Sequence, residues 1–433
     1  MHHLIGSAIA AFALLVIDAS GVVAETYDYA IDDPLAATVV GTAPEQKAEF
    51  DRPAPFKEER IAVYPERSYP GVFWYTEGLR YGVALQSGPA PLAFIIAGTG
   101  ASHKSEKAVI LANALYAAGA HVVTLPSPTH TNFIVSASSY SRPGRTSDDV
   151  KDLYKVMKLI RSEIAERAEI DGYYLTGYSM GGFHAAFLAV HDAEMGAFDF
   201  DRVLMLNPPV SLFESALKLD ALLAEAIPND LADFDVFFDE FMEDLAALYV
   251  RADSVNLTGD SLYRVYEQEG APRPDRLKAL IGMSFRLSGN NMLFASDVMN
   301  DFGYVVPKGS DLGVTSSLTD YFKVGSRVKF NEYIEDVFFP LVQEIDPAAT
   351  LPALIDEASL HSIEADMRSM PSLVLMHNAD DIILKEGDIA WFTDVFGDRA
   401  TIYPNGGHLG NLPHRAVIGR IIDYFKTDAG AGS

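Results

Sequence analysis

The stretch Gly177-Tyr178-Ser179-Met180-Gly181 sets a serine between glycines, with a further glycine directly behind it at Gly182. A serine hydroxyl is a weak nucleophile at its ordinary pKa, so attack on a carbonyl needs a neighbouring base and an acid to orient that base. Both partner types lie downstream. His377-Asn378-Ala379-Asp380-Asp381 offers two carboxylates, and Asn405-Gly406-Gly407-His408-Leu409-Gly410 presents an imidazole in a glycine-lined loop. Upstream, Gly98-Thr99-Gly100 follows an apolar run and supplies backbone amides of the kind that stabilise a developing oxyanion. It lacks the third glycine and the ribose-binding acid of a dinucleotide fingerprint.

These residues are useful only if regular elements hold them at neighbouring ends. Tyr173–Thr176 reads as a strand, and Phe183, Ala186, Phe187 and Val190 are spaced as on the buried face of a helix, so Ser179 falls in a tight strand-to-helix turn. Leu92–Ala97 is an unbroken apolar run typical of a strand buried on both faces, and 121–125, 203–206, 373–376 and 400–403 read the same way. Helical patterns over 104–118, 146–167, 389–396 and 415–426 alternate with them, and further strands are predicted at 61–64 and 79–85. This alternation implies an α/β fold: a mainly parallel central sheet with helices on both faces.

From 210 to 371 the alternation stops. The pattern there is mostly helical, with candidates near 212–226, 230–250, 316–345 and 352–367. This stretch holds 28 acidic and 12 basic side chains, so −16 of the net charge of −27 lies in it. Its aromatic residues, among them Phe234, Phe237, Phe238, Phe241, Phe338 and Phe339, are expected to form the insertion's own core, with a minority lining a pocket.

The serine turn, the 377–381 loop and Gly406-Gly407-His408, taken in this order at successive strand ends, resemble the α/β-hydrolase superfamily. The resemblance covers roughly 60–209 and 372–427 and implies a serine hydrolase fold with a large helical cap. Its acid-loop pattern, laid on this sequence, selects Asp381, with Asp380 as the alternative. Asn378 stands where the family has glycine, and Lys385 where proline is frequent. The resemblance further implies catalytic Ser179, His408 and Asp381, an oxyanion hole built from the amides of Met180 and Thr99 (Gly100 being the next choice), and an ester of a small or medium apolar acid as substrate. A capped peptidase or amidase would use the same residues, and a non-catalytic binding protein is the reading from another class. The expected organisation is a signal peptide at 1–24, an irregular lead-in at 25–57, a hydrolase core at 58–209 and 372–433, and a cap at 210–371.

Composition bounds the alternatives. At 433 residues the chain exceeds one compact core, which suits a domain with a large insertion. The net charge of −27 argues against nucleic acid and anionic membrane surfaces as partners. Without cysteine, disulfides, thiolate metal sites and cysteine nucleophiles are excluded. The remaining histidines (His103, which might edge the site, and His121, His130, His184, His191, His361 and His414) form no metal-binding spacing, and neither metal nor organic cofactor is expected. Leu4–Ile17 is an apolar run of leader length followed by Val22-Val23-Ala24, which predicts export and no integral span in the mature chain. A small acyl compound is the expected partner.

Overall fold

Every residue of Ala90–Ile96 is buried, and alternate side chains enter different cores: Leu92, Phe94 and Ile96 one, Ala93 and Ile95 the other. A strand with two buried faces must be covered on both sides. The computed structural model, which describes residues 22–23, 27–227, 234, 236–239, 243, 259–270 and 272–426, has this arrangement. Its strands are β1 (Val22–Val23), β2 (Lys57–Ile61), β3 (Leu79–Ala84), β4 (Ala90–Ile96), β5 (His121–Leu125), β6 (Ile170–Tyr178), β7 (Arg202–Leu206), β8 (Leu373–Asn378) and β9 (Ala400–Tyr403). They form one sheet in the order β1-β9-β8-β7-β6-β4-β5-β3-β2. Only the pairings β2–β3 and β3–β5 are antiparallel. The architecture is the α/β-hydrolase fold that the resemblance implies.

The first helices are α1 (Pro34–Val40), α2 (Glu106–Ala117), α3 (Thr131–Ser136), α4 (Thr146–Ala165) and α5 (Met180–Met195). Leu153, Val156 and Met157 of α4 and Phe183, Ala185 and Leu188 of α5 join the core that contains Phe94. Leu111 and Leu115 of α2, with Ile418, Ile421 and Phe425 of the helix Arg415–Phe425, join the opposite core. Burying one such apolar side chain is worth about 1.5–3 kcal/mol, so packing fixes the helices far more strongly than propensity does. Local signals set the ends. Ser105 caps α2 by accepting the Ala108 amide at 3.3 Å, and Gly196 ends α5 in the left-handed conformation.

Between β7 and β8 the chain leaves the sheet for the helical insertion. Helix α6 (Leu212–Ala226) matches its expected range, and α7 (Gly259–Glu269) and α8 (Pro274–Asn300) follow. The expected helix at 230–250 lies largely outside the described residues, as do Phe241 and all of the expected leader except Val22–Val23, which pairs with β9. No helix among the described residues is long and apolar enough to cross a membrane.

The stretch 352–367 is two helices, Leu351–Glu357 and Glu364–Ser369, joined by a 3-10 turn at Leu360–Ile363, and four further readings need correction. The long helix α8 is not apparent from the sequence, because Gly282, Ser284, Ser288, Gly289, Asn290 and Asn291 are poor helix formers. Packing against α6 sustains it. The stretch 316–345 is not one helix: Thr319–Gly325, Phe330–Tyr333, a π-turn at Ile334–Phe338 and Phe339–Ile345 replace it. Pro340 has no N–H to donate and its ring crowds the carbonyl four residues back, which favours the wider turn. The strand predicted at 61–64 is β2, ending at Ile61; its exposed charged residues suit a sheet edge and hide the apolar pattern. The lead-in is not irregular throughout, since Asp33 accepts the Ala36 amide at 2.7 Å and Pro34 starts α1.

The crossing of α6 and α8 depends on Gly282, where a Cβ would lie 2.4 Å from the Leu223 backbone nitrogen, whereas a Cβ at Gly289 would meet nothing within 4 Å. Gly282→Ala is expected to destabilise the protein by about 1–3 kcal/mol through overpacking. Gly289→Ala should stabilise it by about 0.5–1 kcal/mol, because alanine suits a helix interior better. Urea unfolding of the two variants checks the contrast, and equal effects would contradict the close crossing.

Candidate active site

Strand β6 runs directly into α5 through Ser179, which has φ 55° and ψ −126°. A non-glycine residue in that region costs on the order of 1–3 kcal/mol and persists only where its surroundings over-determine it. Here the crossing of strand and helix does so. A Cβ on Gly177 would lie 2.2 Å from the Gly181 carbonyl oxygen, and a Cβ on Gly181 would lie 2.1 Å from that of Ile96. The two glycines let α5 start against the sheet, and the backbone reversal between them projects the Ser179 hydroxyl from the turn.

The loops after β8 and β9 bring two further side chains to this hydroxyl. His408 Nε2 lies 2.9 Å from Ser179 Oγ, and His408 Nδ1 lies 3.1 and 3.0 Å from the two carboxylate oxygens of Asp381. An Nδ1–H donated to the carboxylate leaves the Nε2 lone pair facing the serine hydroxyl. Asp381 is buried and also accepts from Asn207 Nδ2 at 2.9 Å and the Ile383 amide at 3.1 Å. Burial alone would raise its pKa. The facing His408, with His377 and the Asn207 amide, outweighs burial and holds the carboxyl below its ordinary value.

Asp380 turns to a different task. Its carboxylate accepts the amides of Gly406 and Gly407 at 3.1 and 2.9 Å, bracing the histidine loop from behind, and burial raises its pKa. Asn378, the departure from the family pattern, exchanges side-chain amide hydrogen bonds with Asn411 at 2.8 and 2.7 Å and donates to the Gly407 carbonyl at 2.7 Å. A longer polar side chain in place of glycine therefore ties the acid loop to the histidine loop. Asn207 closes β7 with φ 45° and was not singled out by the sequence; its position at a strand end, just before Pro208-Pro209, was the available signal.

On the other side of Ser179, the loop after β4 packs against the turn. A Cβ on Gly98 would lie 3.2 Å from Ser179 Cβ. The Gly100 amide already donates to Thr129 Oγ1 at 2.8 Å, so it is not free for an oxyanion. Met180 opens α5, where first-turn amides have no partner within the helix, and Met180 and Thr99 both line a pocket between the sheet and the insertion.

The walls of that pocket are mostly apolar, with Leu212 and Phe213 of α6, Phe285, Met292 and Leu293 of α8, and Phe330, Phe338 and Leu354. One buried ion pair interrupts them. Arg286 Nε and Nη2 donate to Asp220 Oδ1 at 2.8 and 2.5 Å, Arg286 Nη1 donates to the Ser326 carbonyl at 3.2 Å, and the Phe330 amide approaches Asp220 Oδ2 at 3.3 Å. The remaining histidines lie outside this arrangement. His103 pairs with Glu58 at 3.1 Å, His121 accepts the Gln86 amide, and His130 and His414 cap helices. His191 and His361 pack against Tyr154 and Trp391. Among the described residues no group of three or more His, Asp or Glu side chains could hold a metal ion.

No protein-family model and no curated protein matches the sequence. Among solved structures, the chain is similar to a thermostable esterase from Pseudomonas putida ECU1011, at 14% identity over 91% of this chain and 90% of that chain, with a TM-score of 0.42. It is also similar to a hyperthermophilic esterase from the archaeon Pyrobaculum calidifontis, at 16% identity over 86% and 85% of the two chains, with a TM-score of 0.39. Est1E from Butyrivibrio proteoclasticus is 10% identical over 80% of this chain and 93% of its own, with a TM-score of 0.35.

Beside α5, Asp149 is buried, accepts the Gly144 amide at 2.9 Å, and lies 3.8 Å from His184, whose own pKa burial pushes down to about 4. Burial holds the Asp149 carboxyl well above its ordinary value. In the unfolded chain an aspartate ionises near about pH 4, so above that pH the native state keeps a proton that the unfolded chain has lost, and stability falls as pH rises toward the folded pKa. Asp149→Asn is expected to stabilise the protein by an amount that is absent below about pH 4 and grows toward pH 7. Urea unfolding across that range checks it; a difference that does not change with pH would contradict it.

Proposed function

We propose that the protein is a serine hydrolase that cleaves carboxylic esters through an acyl-enzyme. The observation that carries this reading is the continuous chain from Ser179 Oγ through His408 to the buried Asp381, with contacts of 2.9 Å and 3.0 Å. His408 Nε2 takes the Ser179 proton as Oγ bonds to the substrate carbonyl carbon. Asp381 stabilises the imidazolium that forms. The amides of Met180 and Thr99 are the donors for the oxyanion. On collapse, the C–O bond to the leaving group breaks and the alcohol departs with the proton from His408. Water then enters, gives a proton to His408, and attacks the acyl carbon; the proton returns to Ser179 Oγ as the acid is released.

The pocket favours esters of apolar acids over substrates with a free amino terminus. A capped aminopeptidase needs an available carboxylate for the ammonium group. Asp220, a carboxylate in the pocket wall, is already neutralised by Arg286. The apolar walls offer burial to an acyl chain, at about 0.8 kcal/mol per CH₂. The insertion acts as a cap that limits water and sets which acyl groups fit. Export, supported by the leader-like Leu4–Ile17 run, belongs to the same proposal.

A fluorophosphonate probe should label the wild-type protein and leave Ser179→Ala unlabelled, and Ser179→Ala should lower kcat for a short-chain p-nitrophenyl ester by at least ~10⁴-fold. Asp381→Asn should cost about 10⁴-fold with little change in KM, and Asp380→Asn, which only loosens the loop, about 10-fold. A folded wild type that the probe does not label would sink the proposal.

A further inference from the structure

The loop that carries His408 is held in an unfavourable shape. Gly406, Gly407 and Leu409 all have positive φ, at 143°, 54° and 64°. For Leu409 the left-handed conformation carries an intrinsic cost. Asp380 and Asn378 brace one side of this loop. The other side is covered by the segment that follows the leader, which the sequence showed only as a lead-in.

The contact there is close and directional. Thr38 Oγ1 donates to the Pro34 carbonyl at 2.6 Å and accepts the backbone amide of His408 at 2.9 Å. Its proton is thus taken up by α1, and its lone pair faces the histidine. A Cβ on Gly407 would lie 2.3 Å from the Pro34 carbonyl oxygen, and one on Gly410 would lie 2.0 Å from that of Ala37. Thr42 Oγ1 donates to the Gly410 carbonyl at 2.7 Å, and Tyr27 accepts from Asn411 Nδ2 at 3.0 Å while donating to the Asn405 carbonyl. The same segment reaches the insertion. Ile31, Ala36 and Val40 share a core with Tyr263 of α7 and Leu277 of α8, and Lys47 pairs with Asp260 at 2.6 Å.

We propose that residues 27–47 form a strap that positions His408, with Thr38 as the positioning residue that fixes its backbone, and that the strap links the placement of the histidine to the cap. The proposal rests on His408 acting as the base for Ser179. Thr38 touches neither substrate nor the reacting atoms. Its hydroxyl sets where the His408 main chain lies, and so the approach of Nε2 to Ser179 Oγ. A displacement of about 1 Å at such a contact costs up to ~10²-fold in rate without changing substrate binding.

The test compares wild type, Thr38→Val, Thr38→Ser and Tyr27→Phe in the full chain, reading kcat and KM on a short-chain p-nitrophenyl ester, the rate of fluorophosphonate labelling, and Tm. Thr38→Val keeps the side-chain shape but removes the acceptor. It should lower kcat and the labelling rate in parallel by about 10- to 100-fold, with KM within about twofold. Thr38→Ser should restore both rates. Tyr27→Phe, which keeps the ring and loses the hydroxyl, should lower kcat several-fold in the same direction, and it carries the test if Thr38→Val does not fold. A Thr38→Val protein, or in its absence a Tyr27→Phe protein, with wild-type kcat and labelling rate overturns the strap even if its Tm has fallen. Absence of Ser179-dependent labelling in wild type would instead overturn the hydrolase reading on which the strap rests.

Discussion

The crossing of β6, α5 and the end of β4 at Ser179 is the constraint on which the rest of the site depends. The strand and helix approach so closely that no Cβ fits at Gly177 or Gly181, where backbone oxygens would lie 2.2 and 2.1 Å away. The chain can reverse in that space only if the residue between the glycines takes a positive φ. This strain is held by the buried sheet on both sides, and in exchange the hydroxyl stands clear of the backbone. The loop after β4 is drawn in by the same closeness, since Gly98 packs on Tyr178 and Ser179.

Given that fixed point, the partners are supplied by adjacent parallel strands. β7, β8 and β9 end on the same side as β6, so Asn207, Asp381 and His408 converge without long excursions. Neighbouring residues then separate in role. Asp381 faces the imidazole from a buried position, while Asp380 faces the amides of Gly406 and Gly407. One carboxylate holds the ring and the other holds the loop that carries it. The reciprocal Asn378–Asn411 pair ties the two loops together at their base.

The insertion shows why overall charge is a poor guide to a pocket. It carries −16 of the chain's net −27, yet among the described residues the charged side chains in the pocket wall are Asp220, Arg286 and Lys329, and the first two pair with each other. Beside the Ser179 turn, the pocket that Thr99 and Met180 line is walled mostly by apolar residues of α6 and α8, among them Phe213, Phe285, Met292 and Leu293, and the two helices approach closely at Gly282. In a pocket with few charges and mostly apolar walls, fixed dipoles act more strongly than they would in water.

The sequence by itself determined the alternation of strands and helices, the serine turn, and the stretches that hold the imidazole and the carboxylates. Those features rest on short-range rules: the period of apolar residues, and the glycines that tight turns require. The family resemblance favoured Asp381 and left Asp380 open, because adjacent residues in a loop differ only in which way the folded backbone turns them; in the fold Asp381 meets His408 and Asp380 meets the Gly406 and Gly407 amides. Helix α8 was hidden because its serines, glycines and asparagines are poor helix formers, and its stability comes from contacts with distant α6. The lead-in looked irregular because its value lies in partners more than 360 residues away, such as Thr38 with His408 and Thr42 with Gly410. Local chemistry is written in neighbouring residues, whereas the choice of carboxylate, the shape of the pocket and the bracing of the histidine depend on which surfaces meet. Only the tertiary structure decides that.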